Sequence, residues 1–460
     1  MSQDLRDVLE RLDKAGRLRR IGEAVDPIFE LAAVSRLAQM DAGYRDQVLL
    51  FEQVKGSKLR VVANLFSNRE NVAIAMSIPE AELLARGVQA LDKPLAPVTV
   101  KSAPCQEVVE ERPDLTALPI CQNSEQDGGR YITAGVHITN NPLTGVRNVG
   151  IQRNQLHDAT TLGIWMAPTH MRRHYDLLEA QGKPLPVAIV IGVHPAVLIA
   201  SQFRLGFDED ELPAAGGLIG EPIEVVKCVT SDLEVPACAE IVIEGEVLPG
   251  ERHNEGPFGE YTRQYGIERP LPVVKVSAIT HRRDAIYQNV LSARSPEHPM
   301  IGALGREPSL YRAVRASVPN LVDVHMPLGS GANPHALISI RKMAEGEAQK
   351  AAFAAFAHQD LVKHVIVVDE DIDIRDPAEV DYAMATRMKA DRDIFIIPRV
   401  RGNPLDPGAD EYDVGKATVA KMIIDATKPL NAPAGSYAMA EVPAEALERV
   451  RRERERFFGA

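Results

Sequence analysis

This chain of 460 residues has few cysteines and no long apolar run, and both features narrow its class. The four cysteines are at positions 105, 121, 228 and 238, and no two of them form a Cys-x-x-Cys pair. A structural zinc site and a disulfide framework are therefore not indicated, and four buried thiols are the simplest interpretation. No segment approaches the roughly 18 consecutive apolar residues of a membrane span. The polar start, Met1–Arg6, contains no apolar signal core, so we expect a cytoplasmic protein with no membrane partner.

Positive charge is also scarce. The chain has 52 Lys and Arg residues against 64 Asp and Glu residues, which gives a formal net charge of -12. This balance argues against nucleic acid as a partner. A cleft that binds an anionic small molecule would need its own local arginines. We find no Gly-x-Gly-x-x-Gly fingerprint after a predicted strand, so a dinucleotide-binding fold is not favoured.

The hydrophobic patterns predict a mixed fold, α/β in the broad sense (α+β, multidomain), with three regions. Residues 1–105 read as a small α/β unit that opens with a helix, because Leu5, Val8, Leu9 and Leu12 share one helical face. Residues 106–305 are rich in short strands with Gly and Pro turns, which favours a barrel or a sandwich.

Residues 306–460 alternate helix and strand and predict a C-terminal α/β domain. Two apolar runs, Val365–Asp369 and Ile394–Ile397, predict buried strands. The tail, Pro443–Phe458, reads as a basic terminal helix. We interpret this helix as an oligomerisation element, although a solvated helix would show the same pattern.

The most informative segment is Glu255-Gly-Pro-Phe-Gly-Glu260, in which two acids flank a strong turn. Such a turn can point both carboxylates into one cleft. Two close carboxylates do not both ionise readily, so one of them tends to hold a proton near neutral pH. This arrangement suits general acid–base catalysis if a cation keeps the other acid ionised. The alternative is a surface hairpin with solvated acids.

A second group of polar residues has the chemistry of a metal site. Asn148 begins a predicted strand that ends at Arg153, His170 lies in the first turn of a predicted helix, and Glu211 lies in an acidic loop. An amide oxygen, an imidazole and a carboxylate suit a Mn²⁺-like or Mg²⁺-like ion that also binds phosphate. Taken singly, each residue has an ordinary structural explanation: a turn residue, a capping histidine and a solvated acid.

Taken together, the motifs resemble the UbiD-like family of prenylated-FMN-dependent decarboxylases nearly end to end. The resemblance is carried by Asn148–Arg153, Ala167-Pro-Thr-His170, Glu211 with Gly217–Gly220, Val225–Pro236, Glu240–Gly245, Glu255–Glu260, Val367–Asp373, Pro404–Gly408 and Lys421–Thr427. It implies that the central region is a split β-barrel that binds the flavin. Gln152 and the segment Thr262–Tyr265 depart from the family's usual residues and could reshape the pocket.

The resemblance also implies the roles of individual residues. Asn148, His170 and Glu211 would hold Mn²⁺, or Mg²⁺, against the phosphate of prenylated FMN, and Arg153, Glu255 and Glu260 would be the catalytic set. The residues expected to bind the cofactor are Asn148, Arg153, Thr169, His170, Ser201, Gln202 and Lys421. A K⁺ ion would lie near Ala200 and Ser201. A flavin prenyltransferase would supply the cofactor, and a homodimer or homohexamer is expected.

The expected reaction is the reversible, non-oxidative decarboxylation of an aromatic or heteroaromatic, α,β-unsaturated acid, with release of CO₂. The spacing of His298 and Arg306 resembles that in furan-2,5-dicarboxylate decarboxylases, in which a His and an Arg hold the second carboxylate. Alternatively, both residues lie on the surface or contact the flavin. The substrate could instead be a hydroxybenzoate, pyrrole-2-carboxylate or another aryl acid. An FMN-dependent reductase and a non-catalytic assembly subunit are weaker alternatives, because neither requires the paired acids.

Overall fold

The computed structural model describes residues 3–167, 169–411 and 415–459, so Pro168 of the Ala167–His170 motif lies outside the described residues. The α-helices are α1 Leu5–Lys14, α2 Glu30–Met40, α3 Arg69–Met76, α4 Leu83–Asp92, α5 His170–Glu179, α6 Pro195–Ala200, α7 Leu212–Ile219, α8 Glu297–Ser317, α9 Glu347–His358, α10 Pro377–Arg387, α11 Ala444–Arg452 and α12 Arg454–Phe458. Short 3₁₀ turns lie at Glu80–Glu82, Pro104–Gln106, Leu115–Ala117 and Leu328–Ser330. None of the described helices is both long and apolar enough to span a bilayer.

The strands are β1 Leu18–Ile21, β2 Val48–Phe51, β3 Arg60–Ala63, β4 Val98–Thr99, β5 Val108–Glu110, β6 Tyr131–Ile132, β7 Val136–Asn140, β8 Arg147–Ile151, β9 Asn154–Asp158, β10 Thr161–Ile164, β11 Leu185–Ile191, β12 Glu224–Lys227, β13 Glu234–Pro236, β14 Ile241–Glu255, β15 Phe258–Gly259, β16 Tyr265–Gly266, β17 Arg269–His281, β18 Ile286–Gln288, β19 Leu321–His325, β20 His335–Ile340, β21 His364–Asp369, β22 Ile394–Arg401 and β23 Thr418–Ala426. The predicted mixed α/β class is confirmed.

The N-terminal unit forms because α1 is strongly amphipathic. Its four predicted core residues, from Leu5 to Leu12, are buried, and Asp4 caps the helix by accepting a hydrogen bond from the backbone N–H of Arg6. The adjoining sheet has the order β1-β2-β3-β18. Strand β18 comes from much later in the chain and pairs in parallel with β3, so this sheet is joined to the central region by backbone hydrogen bonds.

The central region is built around a nine-stranded sheet with the order β6-β9-β10-β17-β14-β11-β7-β8, with β5 paired to β17. The long strands β14 and β17 are antiparallel neighbours in the middle of this sheet. The path through the described strands is open, so the expected barrel is not closed by strand pairing. The sheet positions the site, because β8 ends just before Arg153 and β14 ends at Glu255.

The C-terminal sheet has the order β19-β20-β21-β23-β22. The apolar run of β21 is a buried parallel strand, as predicted. The prediction that Ile394–Ile397 is also buried is wrong. Strand β22 is antiparallel to β23 at the edge of the sheet, and 68% of Ile396 is exposed. An apolar run therefore identified the strand but not its place in the sheet.

Helix α8 connects the central and C-terminal sheets and runs across residue 305, where the sequence suggested a boundary. The limits of the three regions stay a prediction. The tail is helical, but it is divided into α11 and α12 and has no buried residue. Its role in oligomerisation also stays a prediction. The four cysteines carry free thiols, and Cys238, unlike the other three, is only partly buried.

Glu307 on α8 ties three parts of the molecule together. Its buried carboxylate accepts hydrogen bonds from Arg69 Nη1 at 3.0 Å, His325 Nδ1 at 2.9 Å and the backbone N–H of Met326 at 2.9 Å. Burial would raise the pKa of Glu307, but Arg69 and His325 outweigh that effect and lower it to about 2. The ionised carboxylate therefore stabilises the folded chain.

We predict that Glu307→Gln destabilises the protein by roughly 3 kcal/mol at pH 7, because it removes a buried charge and leaves the partly buried Arg69 without its counter-charge. The folded-state pKa is below the ordinary value of 4.5, so the contribution is complete above pH 4.5 and is lost as the pH falls toward 2. Calorimetric unfolding should show a lowered Tm at pH 7 and a smaller difference from wild type at pH 3.5. Glu370→Gln, which removes an exposed ion pair with Arg341, is the control and should change Tm much less. Equal effects of the two changes would contradict this account.

Candidate active site

The acidic turn is held in place by its neighbours. Gly256 has a φ of +105°, a conformation that favours glycine, and its N–H donates to Gln155 Oε1 at 3.0 Å and to the Tyr131 hydroxyl at 3.1 Å. Further along, the N–H of Gly259 donates to Asp127 at 2.9 Å. The turn therefore leaves β14 in a defined direction. Glu255 and Glu260 are both buried, so the alternative of a surface hairpin with solvated acids is wrong.

Arg153 lies between the two carboxylates. Its Nε and Nη2 donate to the two oxygens of Glu255 at 2.7 and 2.8 Å, and its Nη1 donates to Glu260. The guanidinium also lies over the rings of Trp165 and Phe258, 5.0 and 4.8 Å from their centroids. One guanidinium thus forms ion pairs with two buried carboxylates. Because the contact with Glu255 is bidentate, Glu255 is the acid whose charge is better neutralised.

A cavity of about 340 Å³ lies next to this trio and is lined by Arg153 and Glu260. Asn148, His170 and Glu211, the three predicted metal ligands, line the same cavity, and their role as ligands stays a prediction. Asn148 lies on β8, His170 begins α5, and Glu211 immediately precedes α7.

Glu211 is poorly compensated. Its oxygens accept hydrogen bonds from the Asn148 side-chain amide at 3.1 Å and the Val149 N–H at 2.7 Å. Burial raises the pKa of Glu211 to about 8, with a smaller contribution from Asp210. Within residues 3–167, 169–411 and 415–459, no group of three His, Cys, Asp or Glu side chains is arranged to hold a metal ion. A site here would depend on the Asn148 amide as its third ligand.

The other residues expected to bind a cofactor lie around this cavity. Thr169, Ser201 and Gln202 line it, and Ser201 and Gln202 directly follow α6. Lys421 is buried on β23 behind the wall, where its ammonium group donates to the backbone carbonyl of Asp360 at 3.2 Å. Asp360 lines the cavity and Lys421 does not, so Asp360 lies between Lys421 and the cavity.

His298 and Arg306 line the cavity as well, and the alternative that they lie on the outer surface is wrong. Burial lowers the pKa of His298 to about 4, with help from Arg306 and Arg153, so the imidazole is neutral at pH 7. Burial and Arg204 lower the pKa of Arg306 to about 9, which leaves the guanidinium charged. The cavity therefore offers one neutral hydrogen-bonding ring and one cation.

Sequence reasoning missed several lining residues. Tyr261 directly follows Glu260, and its ring lies 6.1 Å from that of His298. Its hydroxyl accepts a hydrogen bond from Asn403 at 2.8 Å. Asn333, Asn403 and Arg401 come from the C-terminal region. Asn403 directly precedes the Pro404–Gly408 motif and could have been found from it, whereas Asn333 and Arg401 lie outside every motif, so only the fold reveals them.

Three models of one family together match most of the chain. Residues 9–91, 97–295 and 299–426 match the N-terminal domain, the Rift-related domain and the C-terminal domain of 3-octaprenyl-4-hydroxybenzoate carboxy-lyase, UbiD. One relative is the anhydromevalonate phosphate decarboxylase of Methanothermobacter thermautotrophicus, which is 37% identical over 91% of this chain and 96% of its own length.

Among solved structures, the fold is similar to the UbiD-class enzyme HmfF from Pelotomaculum thermopropionicum in complex with FMN, with 43% identity and a TM-score of 0.89. That match covers 98% of this chain and 99% of HmfF. An evolved dimeric form of HmfF in complex with prFMN gives a TM-score of 0.86 at 43% identity, over 97% of this chain and 98% of that one. On these matches, the chain belongs to the UbiD family of carboxy-lyases.

Proposed function

We propose that this protein catalyses the reversible, non-oxidative decarboxylation of a small unsaturated acid that bears a second anionic group, with furan-2,5-dicarboxylate as the favoured type. The observation that carries the proposal is the buried Arg153 between Glu255 and Glu260, beside a cavity that also contains the three proposed metal ligands. A reductase would need no such proton donor. An assembly subunit without catalytic activity would need neither the arginine nor the paired acids.

The residues around the cavity fit prenylated FMN held through a divalent ion. Glu211 is a buried carboxylate whose hydrogen bonds come from amides, and a Mn²⁺ or Mg²⁺ ion beside Asn148 and His170 would supply the missing positive charge. Thr169, Ser201, Gln202 and Lys421 would complete the cofactor contacts, with K⁺ near Ala200 and Ser201. When bound, the modified flavin provides an electron sink for the carbon that loses CO₂.

The protein's own task is to place the substrate and move one proton. Decarboxylation converts R–COO⁻ and H⁺ into R–H and CO₂, so one proton must reach the carbon. Arg153 is placed to bind the reacting carboxylate, and Glu255 holds the guanidinium by its bidentate contact. Because Glu260 lines the cavity and makes only one contact to Arg153, it is the acid that delivers the proton.

His298 and Arg306 would bind the second anionic group. The charged Arg306 attracts that group, and the neutral imidazole of His298 can donate one hydrogen bond to it. A local cation matters here, because the formal net charge of -12 otherwise opposes the entry of a dianion.

A phosphorylated unsaturated acid is the second candidate substrate. It is favoured by the relative named anhydromevalonate phosphate decarboxylase, which is 37% identical to this chain. A phosphate would meet the same pair, His298 and Arg306. A hydroxybenzoate or pyrrole-2-carboxylate would leave Arg306 without an anionic partner, so we rank such acids lower. We also propose that a flavin prenyltransferase supplies the cofactor and that the active form is a homodimer or homohexamer.

Glu260→Gln should abolish decarboxylation, because it keeps the shape of the side chain but removes the exchangeable proton. The loss should be on the order of 10²–10⁴-fold in kcat, measured as CO₂ release by enzyme co-expressed with a flavin prenyltransferase. Exchange of the product's ring hydrogen in D₂O should be lost as well. Glu255→Gln should lower kcat by loosening Arg153, while exchange remains detectable. Wild-type turnover by Glu260→Gln would show that the proton comes from another group.

His170→Ala and Glu211→Ala should each yield folded protein depleted of metal and flavin, because a phosphate-bridging ion needs all of its ligands. The measurements are metal content by mass spectrometry and flavin absorbance per protein, with circular dichroism to establish folding. Glu209→Ala, in the same acidic loop, is the matched control and should retain both components. Full metal and flavin content in both test variants would refute the assignment of these ligands.

Arg306→Ala should reduce kcat/KM for furan-2,5-dicarboxylate by on the order of ten- to a hundred-fold, because a charge-assisted contact to the second carboxylate is lost. Activity on furan-2-carboxylate should fall much less. The assay is a substrate panel that also includes a phosphorylated unsaturated acid and a hydroxybenzoate. Equal losses on all substrates, or a wild-type preference for the hydroxybenzoate, would exclude the dianionic substrate class and leave the decarboxylase proposal standing.

A further inference from the structure

The guanidinium of Arg306 is held by neutral groups. Its Nη2 donates to Gln202 Oε1 at 2.7 Å, and its Nη1 donates to the side-chain oxygen of Asn333. Among the described residues, no Asp or Glu side chain lies within ion-pair distance of it. Two other cavity cations differ in this respect, since Arg153 is paired with two glutamates and Arg401 with Asp360 at 3.3 Å. Arg204 also lines the cavity and, among the described residues, likewise has no carboxylate within ion-pair distance, so it adds positive charge beside Arg306 without neutralising it.

The orientation of the Asn333 amide is determined by a second contact. Its Nδ2 donates to the backbone carbonyl of Gly331 at 3.1 Å, so its oxygen must face Arg306. Asn333 is only 3% exposed and lies just before β20, whereas Gln202 follows α6 in the central region. Arg306 on α8 is therefore hydrogen-bonded by one amide from the central region and one from the C-terminal region, and neither amide carries a charge.

Gly302 makes room for this arrangement. It lies one helical turn before Arg306 on α8 and also lines the cavity. A Cβ atom at this position would lie 2.5 Å from Nη1 and 3.4 Å from Cζ of Arg306. Both contacts involve the end of a flexible side chain, so alanine would fit the helix and would displace the guanidinium instead.

We propose that Asn333 and Gly302 are positioning residues that keep Arg306 uncompensated and aimed into the cavity, so that it selects substrates with a second anionic group, a carboxylate or a phosphate. This inference rests on the proposed function and deepens it. A carboxylate in place of either amide would satisfy Arg306 internally, and the substrate anion would then have to compete with it. Specificity thus depends on which neutral groups surround the arginine.

The test compares Asn333→Asp, Asn333→Leu and Gly302→Ala with wild type as holoenzymes. The measured quantity is the ratio of kcat/KM for furan-2,5-dicarboxylate to that for furan-2-carboxylate. Asn333→Asp should lower the ratio on the order of tenfold or more, because it neutralises Arg306, and Gly302→Ala should lower it by displacing the group. Asn333→Leu, which adds no charge, should lower it less than Asn333→Asp does. Gly22→Ala, where a Cβ meets nothing within 4 Å, controls for the glycine replacement.

The possible outcomes separate the two proposals. Equal losses on both substrates, or a larger effect of Leu than of Asp at position 333, would mean that Asn333 is merely structural and would overturn the inference. A wild type that prefers neither the dicarboxylate nor a phosphorylated unsaturated acid over furan-2-carboxylate would overturn it too, while turnover of furan-2-carboxylate would still support the decarboxylase. If wild type decarboxylates neither acid, the proposed reaction on furan acids fails. In that case the inference is tested by calorimetric titration of the FMN-loaded protein with both acids. The ratio of their Kd values in wild type and in each variant then replaces the ratio of kcat/KM values.

Discussion

A single buried guanidinium with two carboxylates is the interaction on which the rest of this site depends. Arg153 cannot neutralise both Glu255 and Glu260, and both acids are shielded from water. A buried excess of negative charge is unfavourable unless a proton or a further cation is present. The trio is therefore suited to carry one exchangeable proton, and in the proposed function Glu260, which lies beside the cavity, is the carrier.

The same electrostatic principle applies around the cavity. Glu211 is a buried carboxylate held by amides, and Arg306 is a guanidinium held by amides. Each of these groups is less stable alone than with a counter-charge. In the proposed function, a divalent ion neutralises the charge of Glu211. The second anionic group of the substrate neutralises the charge of Arg306. Groups of this kind are suited to bind ligands of the opposite charge.

Helix α8 connects the part of the cavity around Arg306 to the stability of the fold. It carries Gly302 and Arg306 toward the cavity, and one residue later Glu307 joins Arg69 to the strand that ends at His325. Adjacent residues on a helix point in different directions, so one side chain can serve the site while its neighbour serves the core. A substitution at Glu307 is for that reason expected to affect the site through stability.

Local patterns determined much of this protein. Helical spacing identified α1, an apolar run identified β21, and the acids around the Gly-Pro turn identified the loop that carries the two buried carboxylates. The tertiary structure alone decided that Ile394–Ile397 lies at an edge, because exposure depends on strand order and not on composition. It also placed two amides in contact with Arg306. Gln202 is 104 residues away from Arg306 in the sequence, and Asn333 is 27 residues away. Such contacts depend on how the sheets pack around the cavity, and no local pattern in the sequence encodes that packing.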